Sequence, residues 1–230
     1  MLTARLWDRP YYNFKDHAGK KRVIDVTSSV SPGLPPNELT DQMIDLFARK
    51  GVEQIVDFAA GALRHTIPFL QAGFQVCAVE FEEAFKRKGA SDALAKAHQN
   101  PNFSSLIWPR DFKKDKRKFD AALLIYVLQT MPIQAERRTV LKFLYKKLKS
   151  DAYLFYMARY NQVRGLGADR RCKDGYYMNP QNKMHSFYRD FTAEETHKLF
   201  TNFRFSRDKS LSQRGTDQAY LYVKGSATWV

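Results

Sequence analysis

The chain has 230 residues, 44% hydrophobic and 14% aromatic. That is enough for one packed domain burying roughly 70% of its unfolded surface, and it excludes global disorder. No run approaches the ~18 consecutive apolar residues of a membrane span, and the opening MLTARLWDRPYYNFKD lacks a secretory apolar core, so a cytoplasmic protein with no membrane partner is expected. The net charge of +14 favours anionic partners: nucleic acid, acidic metabolites or an anionic surface. Cys77 and Cys172 have no spacing suited to a disulfide framework or a metal site, so no metal is expected.

Residues 1–36 mix aromatic, basic and turn-forming types and end in SPGLPP, whose prolines forbid a helix. NELTDQMIDLFARKG then sets Leu39, Met43, Leu46 and Phe47 at helical spacing, with Gly51 as the stop. From there the alternation is regular. QIVDFAA reads as a strand, RHTIPFLQAG as a helix closed by Gly73, and FQVCAVEF as the next strand. EEAFKRKGASDALAKAHQN is helical with Gly89 weakening its middle; FSSLIWPRDF and FDAALLIYVL are two more strands. The amphipathic IQAERRTVLKFLYKKLKS leads into a fifth strand, AYLFYMARY. Between Asn161 and Arg189 the pattern lapses, and a loop of that length inside a compact domain is as a rule functional or disordered. TAEETHKLFTNF opens on a capping box of Thr192 and Glu195. FRFSRDKSLS and QAYLYVKGSA, joined by QRGTDQ, close the chain as an antiparallel pair.

The expected architecture is therefore α/β and Rossmann-like: a seven-stranded, mostly parallel sheet with helices on both faces and an antiparallel C-terminal strand pair. It should occupy residues 51–230, with an N-terminal lid or helical extension over 1–50 and a substrate-side insert at about 160–191. Such sheets bind ligands beyond the carboxyl ends of their strands. The first strand there delivers Asp57, then Ala59 and Gly61 in a turn that brings backbone N–H groups toward an anion. The second delivers Glu80, suited to ribose hydroxyls. The third delivers Asp111, an acceptor for an adenine amine, with Phe112 covering the ring. The fourth delivers Tyr126 and Gln129.

VDFAAGALRHT, VCAVEF, WPRDF and FDAALLIYVLQTMP, followed by the late antiparallel pair, resemble the class I S-adenosylmethionine-dependent methyltransferases, in particular their type 11/12-like group. The resemblance spans roughly residues 52–225. It implies S-adenosyl-L-methionine as cofactor, with Asp57 and the Ala59–Gly61 backbone at the methionine end and Arg64 at its carboxylate. Glu80 would then bond the ribose, Asp111 the adenine amine, and Tyr126 would line the methyl-donor pocket. The turn departs from the family's acid-x-Gly-x-Gly-x-Gly, because Ala59 and Leu63 replace the first and third glycines.

The same resemblance leaves the acceptor open. The motifs of DNA amino-methylating and cytosine C5 enzymes are absent, which favours a small-molecule acceptor presenting an O, N or S nucleophile. Arg164, Arg170, Arg171, Lys173 and Arg189 would favour an anionic one. The insert supplies candidates: His185 as a proton acceptor, Tyr188 beside it, and Tyr176, Tyr177 and Arg189 as substrate contacts, with Tyr126 as a further catalytic candidate. Tyr11, Tyr12 and His17 are candidate contacts from the N-terminal cover, and Gln129 from the sheet. Two other readings stand beside this one: a basic nucleic-acid-binding or nucleic-acid-modifying protein on the same fold, and an NAD-dependent oxidoreductase, which lacks its G-x-G-x-x-G turn here.

Overall fold

The computed structural model describes residues 9–16, 18–29, 35–178, 184–211 and 217–225. A hairpin of β1 (Tyr11–Lys15) and β2 (Lys21–Asp25) comes first, then α1 (Leu39–Arg49). The alternating unit follows as β3 (Gln54–Phe58), α2 (Thr66–Gln71), β4 (Gln75–Glu80), α3 (Glu82–Phe85), α4 (Lys88–Ala97), β5 (Phe103–Ile107) and α5 (Arg110–Lys114). It continues as β6 (Phe119–Ile125), α6 (Gln134–Lys147) and β7 (Leu148–Arg159). Four two- or three-residue strands make up the insert: β8 (Arg171–Cys172), β9 (Gly175–Tyr177), β10 (Met184–His185) and β11 (Phe187–Tyr188). The chain closes with α7 (Ala193–Thr201), β12 (Phe205–Leu211) and β13 (Asp217–Lys224).

The main sheet has seven strands in the order β12-β13-β7-β6-β3-β4-β5. β3 to β7 run parallel, and β13 is antiparallel to both of its neighbours. The near-continuous apolar strands divide by the two-residue period of a pleat. Val56, Val79, Ala122, Leu124 and Tyr156 face the core beneath α6 and α7. Ile55, Ala78, Leu123, Phe155 and Met157 face the opposite core beneath α1 and α2. The strand order reverses between β3 and β6, so a crevice opens at their carboxyl ends.

Local departures from the sequence expectation have visible causes. The helix expected over residues 82–100 breaks before Gly89, because Arg87 is extended and its guanidinium donates to Asp25 at 2.7 Å and to Thr27 Oγ1 at 2.5 Å. The strand expected through Phe112 ends at Ile107; Trp108 and Phe112 turn into the core against Phe58 instead. The capping box forms, with Thr192 and Glu195 exchanging bonds of 2.9 and 3.1 Å. His17 and most of QRGTDQ lie outside the described residues.

The insert is ordered into two small sheets. β8, β9 and β11 form one; β10 instead joins the N-terminal hairpin, with His185 opposite Ile24 on β2. Asp174 receives the guanidinium groups of both Arg137 and Arg189, and Arg189 also reaches Glu195 at 2.9 Å. Arg137 is buried and also donates to the Met131 carbonyl, which ties the insert to α6. The hairpin and the insert thus brace one another beside the crevice.

Candidate functional site

The turn after β3 is the most constrained backbone at the crevice. Ala59, Gly61 and Leu63 have φ of 59°, 56° and 61°, all left-handed. Two of these three positions carry side chains, at roughly 1–2 kcal/mol each for the conformation. Ala59 and Leu63 stand where the resemblance has glycine, so the backbone keeps the glycine conformation without the residue. The turn is held from below: the Ala59 and Ala60 N–H groups both donate to the Val79 carbonyl, at 2.8 and 3.2 Å. Leu63 is fully buried, and its packing offsets its strain. Asp57 lies beneath the turn rather than among the crevice walls. Its carboxylate accepts from Thr66 Oγ1 at 2.6 Å, and burial raises its pKa to about 6 against that bond.

Glu80 does reach the crevice. Its Oε2 accepts from the Gly61 N–H at 2.9 Å and its Oε1 from the Phe81 N–H at 2.7 Å. Burial, with a smaller push from Asp57, raises its pKa to about 7 against those two bonds. Each oxygen retains lone-pair capacity toward the cavity. Val26 and Thr27, which follow β2, and Phe81 complete this side. Next along the turn stand Arg64 and His65. Arg64 makes no ion pair among the described residues, and its Nε is buried without a partner. His65 accepts or donates at Nδ1 to Thr40 Oγ1 at 3.1 Å, while its buried Nε2 has no partner. Burial, then the Arg64 charge, lowers its pKa to about 3, so it is neutral near pH 7.

The far side of the crevice is built from β6, β7 and the insert. Tyr126, left-handed at φ 59°, donates its hydroxyl to Asp217 at 2.6 Å and accepts from Asn37 at 3.0 Å. Arg159, at the end of β7, lies 5.1 Å over its ring. Gln129 is fully buried, yet both of its amide atoms lack a well-aligned partner among the described residues. The Tyr188 hydroxyl lies close enough to the carboxamide to interact with it, although neither group makes a well-aligned bond. Burial pushes both tyrosines well above the ordinary phenol range, so both stay protonated and neither is a base at neutral pH. The space between these walls is about 990 Å³, its open mouth included.

Several residues singled out in the sequence stand elsewhere. Phe112 is fully buried among Phe58, Trp108 and the Lys147 ammonium, so it offers no face to a ligand. Asp111 lies in α5 outside the crevice walls, bonded to Arg110 and to the Ile107 N–H. His185 is buried where β10 meets the hairpin, with its ring against Tyr177 at 5.0 Å. Tyr177 is buried too and donates to the Asp169 carbonyl. Tyr12 donates to Glu136 at 2.8 Å, Tyr11 is exposed on the hairpin, and Arg189 is committed to Asp174 and Glu195. Arg164, Arg171 and Lys173 are exposed on the insert and line no part of the crevice. The cations that do line it are Arg64 and Arg159. His65, Phe81, Thr27 and Arg159 were missed; only His65 and Phe81 carried a local signal, as immediate neighbours of the turn and of Glu80.

The topology and crevice define the class I S-adenosylmethionine-dependent methyltransferase fold, and solved structures agree. A Burkholderia thailandensis 1,6-didemethyltoxoflavin-N1-methyltransferase, crystallised with 1,6-didemethyltoxoflavin and S-adenosylhomocysteine, superposes with a TM-score of 0.61 at 18% identity, covering 82% of this chain and 79% of its own. A Methanosarcina mazei S-adenosylmethionine-dependent methyltransferase gives 0.63 at 18% identity, covering 84% and 99%. The Synechocystis magnesium protoporphyrin IX methyltransferase with bound S-adenosylhomocysteine gives 0.58 at 15%, covering 82% and 83%. No family model matches the sequence, and no curated protein matches it. No helix among the described residues is long and apolar enough to cross a membrane.

Proposed function

We propose that the chain is an S-adenosylmethionine-dependent methyltransferase acting on an O, N or S nucleophile of a small anionic acceptor. The observation that carries this reading is Glu80, a buried acid at the end of the second strand of the unit. Two backbone N–H groups orient it into the crevice beside a left-handed turn. An adenosine ribose would satisfy its remaining lone pairs with two hydroxyls, and Phe81 would lie along the nucleoside. Arg64, whose guanidinium lacks a protein carboxylate, would take the methionine carboxylate. When bound, the cofactor supplies a sulfonium methyl: its carbon–sulfur bond breaks as the acceptor's new bond to carbon forms.

The residues around that position orient more than they titrate. His65 is neutral near pH 7 and too weak a base to take a proton there, Tyr126 and Tyr188 do not give theirs up, and His185 lies elsewhere. The acceptor's proton therefore leaves to solvent, and rate comes from placing the nucleophile in line with the methyl. Calorimetry with S-adenosylhomocysteine, S-adenosylmethionine and NAD tests the reading. Binding of both sulfur nucleosides with no binding of NAD is expected; failure of both to bind ends it. Methyl transfer from labelled donor to metabolite pools, with DNA and RNA alongside, then separates a small acceptor from nucleic acid.

A further inference from the structure

The crevice has two chemically different halves. The half with Thr27, Glu80 and Phe81 suits a nucleoside; the half with Tyr126, Gln129, Arg159 and Tyr188 lies beyond it. In that second half, Gln129 is fully buried and its amide nitrogen and oxygen are both left without a well-aligned partner. Leaving buried polar groups unbonded is costly, because they have lost their water without gaining a partner. Gln129 also holds the wall in place through its backbone, since its carbonyl accepts from the Arg189 N–H at 2.9 Å. The side chain is thus fixed at the crevice with most of its hydrogen-bonding capacity unspent, an interaction with the Tyr188 hydroxyl aside.

A carboxamide presents one donor and one acceptor side by side. A carboxylate edge satisfies only the donor, and a hydrocarbon satisfies neither. An amide or lactam edge, with N–H next to C=O, satisfies both at once. The Tyr188 hydroxyl faces the same carboxamide and can occupy only one of its four bonding positions. Arg159 supplies the positive charge, exposed at the mouth and stacked on Tyr126, with no ion pair among the described residues. Two carboxylates stand nearby and neither forms an ion pair with Arg159 among the described residues: Asp217, cross-strand from it, accepts from the Tyr126 hydroxyl, and Asp190 accepts from the N–H groups of Gln162 and Val163.

We propose that the methyl acceptor is a small anion-bearing amide or lactam, its N–H/C=O edge paired with Gln129 and its anionic group facing Arg159. This rests on the methyltransferase reading of the same crevice. Gln129 carries the selectivity, because a site built to hydrogen-bond a group rejects analogues that lack it. Arg159, being exposed, contributes orientation and a modest gain in affinity.

The test uses the whole chain saturated with S-adenosylhomocysteine and titrated with four probes. Orotate has the lactam edge and a carboxylate, uridine 5′-monophosphate the edge and a phosphate, uracil the edge alone, and benzoate the carboxylate alone. Orotate or the nucleotide should bind about tenfold tighter than both uracil and benzoate, and whichever binds tighter identifies the anion. Gln129→Leu should erase the advantage over benzoate, and the surface variant Arg159→Gln the advantage over uracil. Benzoate matching the lactam acids, a preference that survives Gln129→Leu, or no binding of any probe would overturn the assignment. Affinity for S-adenosylhomocysteine is read in each protein. Its loss in Gln129→Leu would place that residue on the donor half, whereas its absence in the unmodified chain would defeat the methyltransferase reading instead.

Discussion

The two ends of the central sheet are made of the same strands but are finished differently. At the amino end a shallow pocket lies among Gln75, Asn102, Ser104 and Arg117. No buried side-chain polar atom lining it is left unpaired among the described residues: Arg117 donates to Asp115, Ser104 and Cys77, and close by Asp120 accepts from the Glu53 and Gln54 N–H groups while pairing with Lys149. The turns entering β3 and β4 take left-handed backbone at Gly51 and Gly73, where it costs little. At the carboxyl end the left-handed positions include Ala59, Leu63 and Tyr126, and Arg64, His65, Gln129 and Tyr188 all hold unsatisfied buried atoms. Left-handed backbone alone does not mark the difference, since exposed Asp151 and Arg204 also adopt it. The mark is strain and unmet hydrogen bonds at one place, which surrounding structure tolerates where a ligand completes the site.

The comparison can be broken first at its two best-formed groups. Glu80→Ala should weaken S-adenosylhomocysteine binding about 100-fold, because the ribose loses a charged acceptor. Arg117→Ala at the other end should lower stability by about 1–2 kcal/mol and leave that affinity within about twofold. Equal losses of affinity in both would show that the ends do not differ in function. Calorimetry and denaturant titration of both variants give the answer.

Next come the turn residues. Leu63→Gly relieves one left-handed side chain but empties a fully buried site, for a net loss of about 2–3 kcal/mol. Ala59→Gly relieves strain without removing core, and a gain of up to about 1 kcal/mol is expected. Unchanged stability in Ala59→Gly would mean the turn is unstrained there. Melting curves decide both.

The raised acids make a pH prediction of intermediate size. Glu80 must be ionised to accept two hydroxyls, and its pKa in the free protein is about 7. Affinity for S-adenosylhomocysteine should therefore fall by up to about tenfold per unit as pH drops below that value and level off above it. Stability of the free protein runs the other way. A carboxyl raised from 4.5 to about 7 contributes stability at low pH that is lost as pH rises through 7, when a buried charge must be held. A flat affinity profile would remove Glu80 from the contact. The smallest effect is expected at Asp111, where Asp111→Ala should change affinity by no more than about threefold, since that carboxylate is partly exposed and bonded to Arg110. A larger loss would extend the nucleoside half past Phe81 to α5.

Much of this was legible before any coordinates. Period-two and period-3.6 patterning placed the order of strands and helices, the reversed β13 and the Thr192 capping box. The acid at the end of β4 was legible because strand ends near a turn have few places to point. The misses share a cause. Phe112 follows an acid near a strand end, the local pattern of a ligand cover, but the core beside Phe58 claims its ring. His185 has the residue type of a base at neutral pH, but β10 pairs with β2, a contact across some 160 residues that no local pattern reports.

By itself, then, the sequence determined the layer architecture and the chemistry available at each strand end, since both follow from local periodicity and residue type. Tertiary structure alone decided which of those groups meet. It buried Asp57 under the turn, took Arg189 for an anchor, and left Gln129, Tyr188 and His65 with hydrogen bonds unmade. Burial and orientation depend on packing partners far away along the chain, and that information is absent from any short stretch of it.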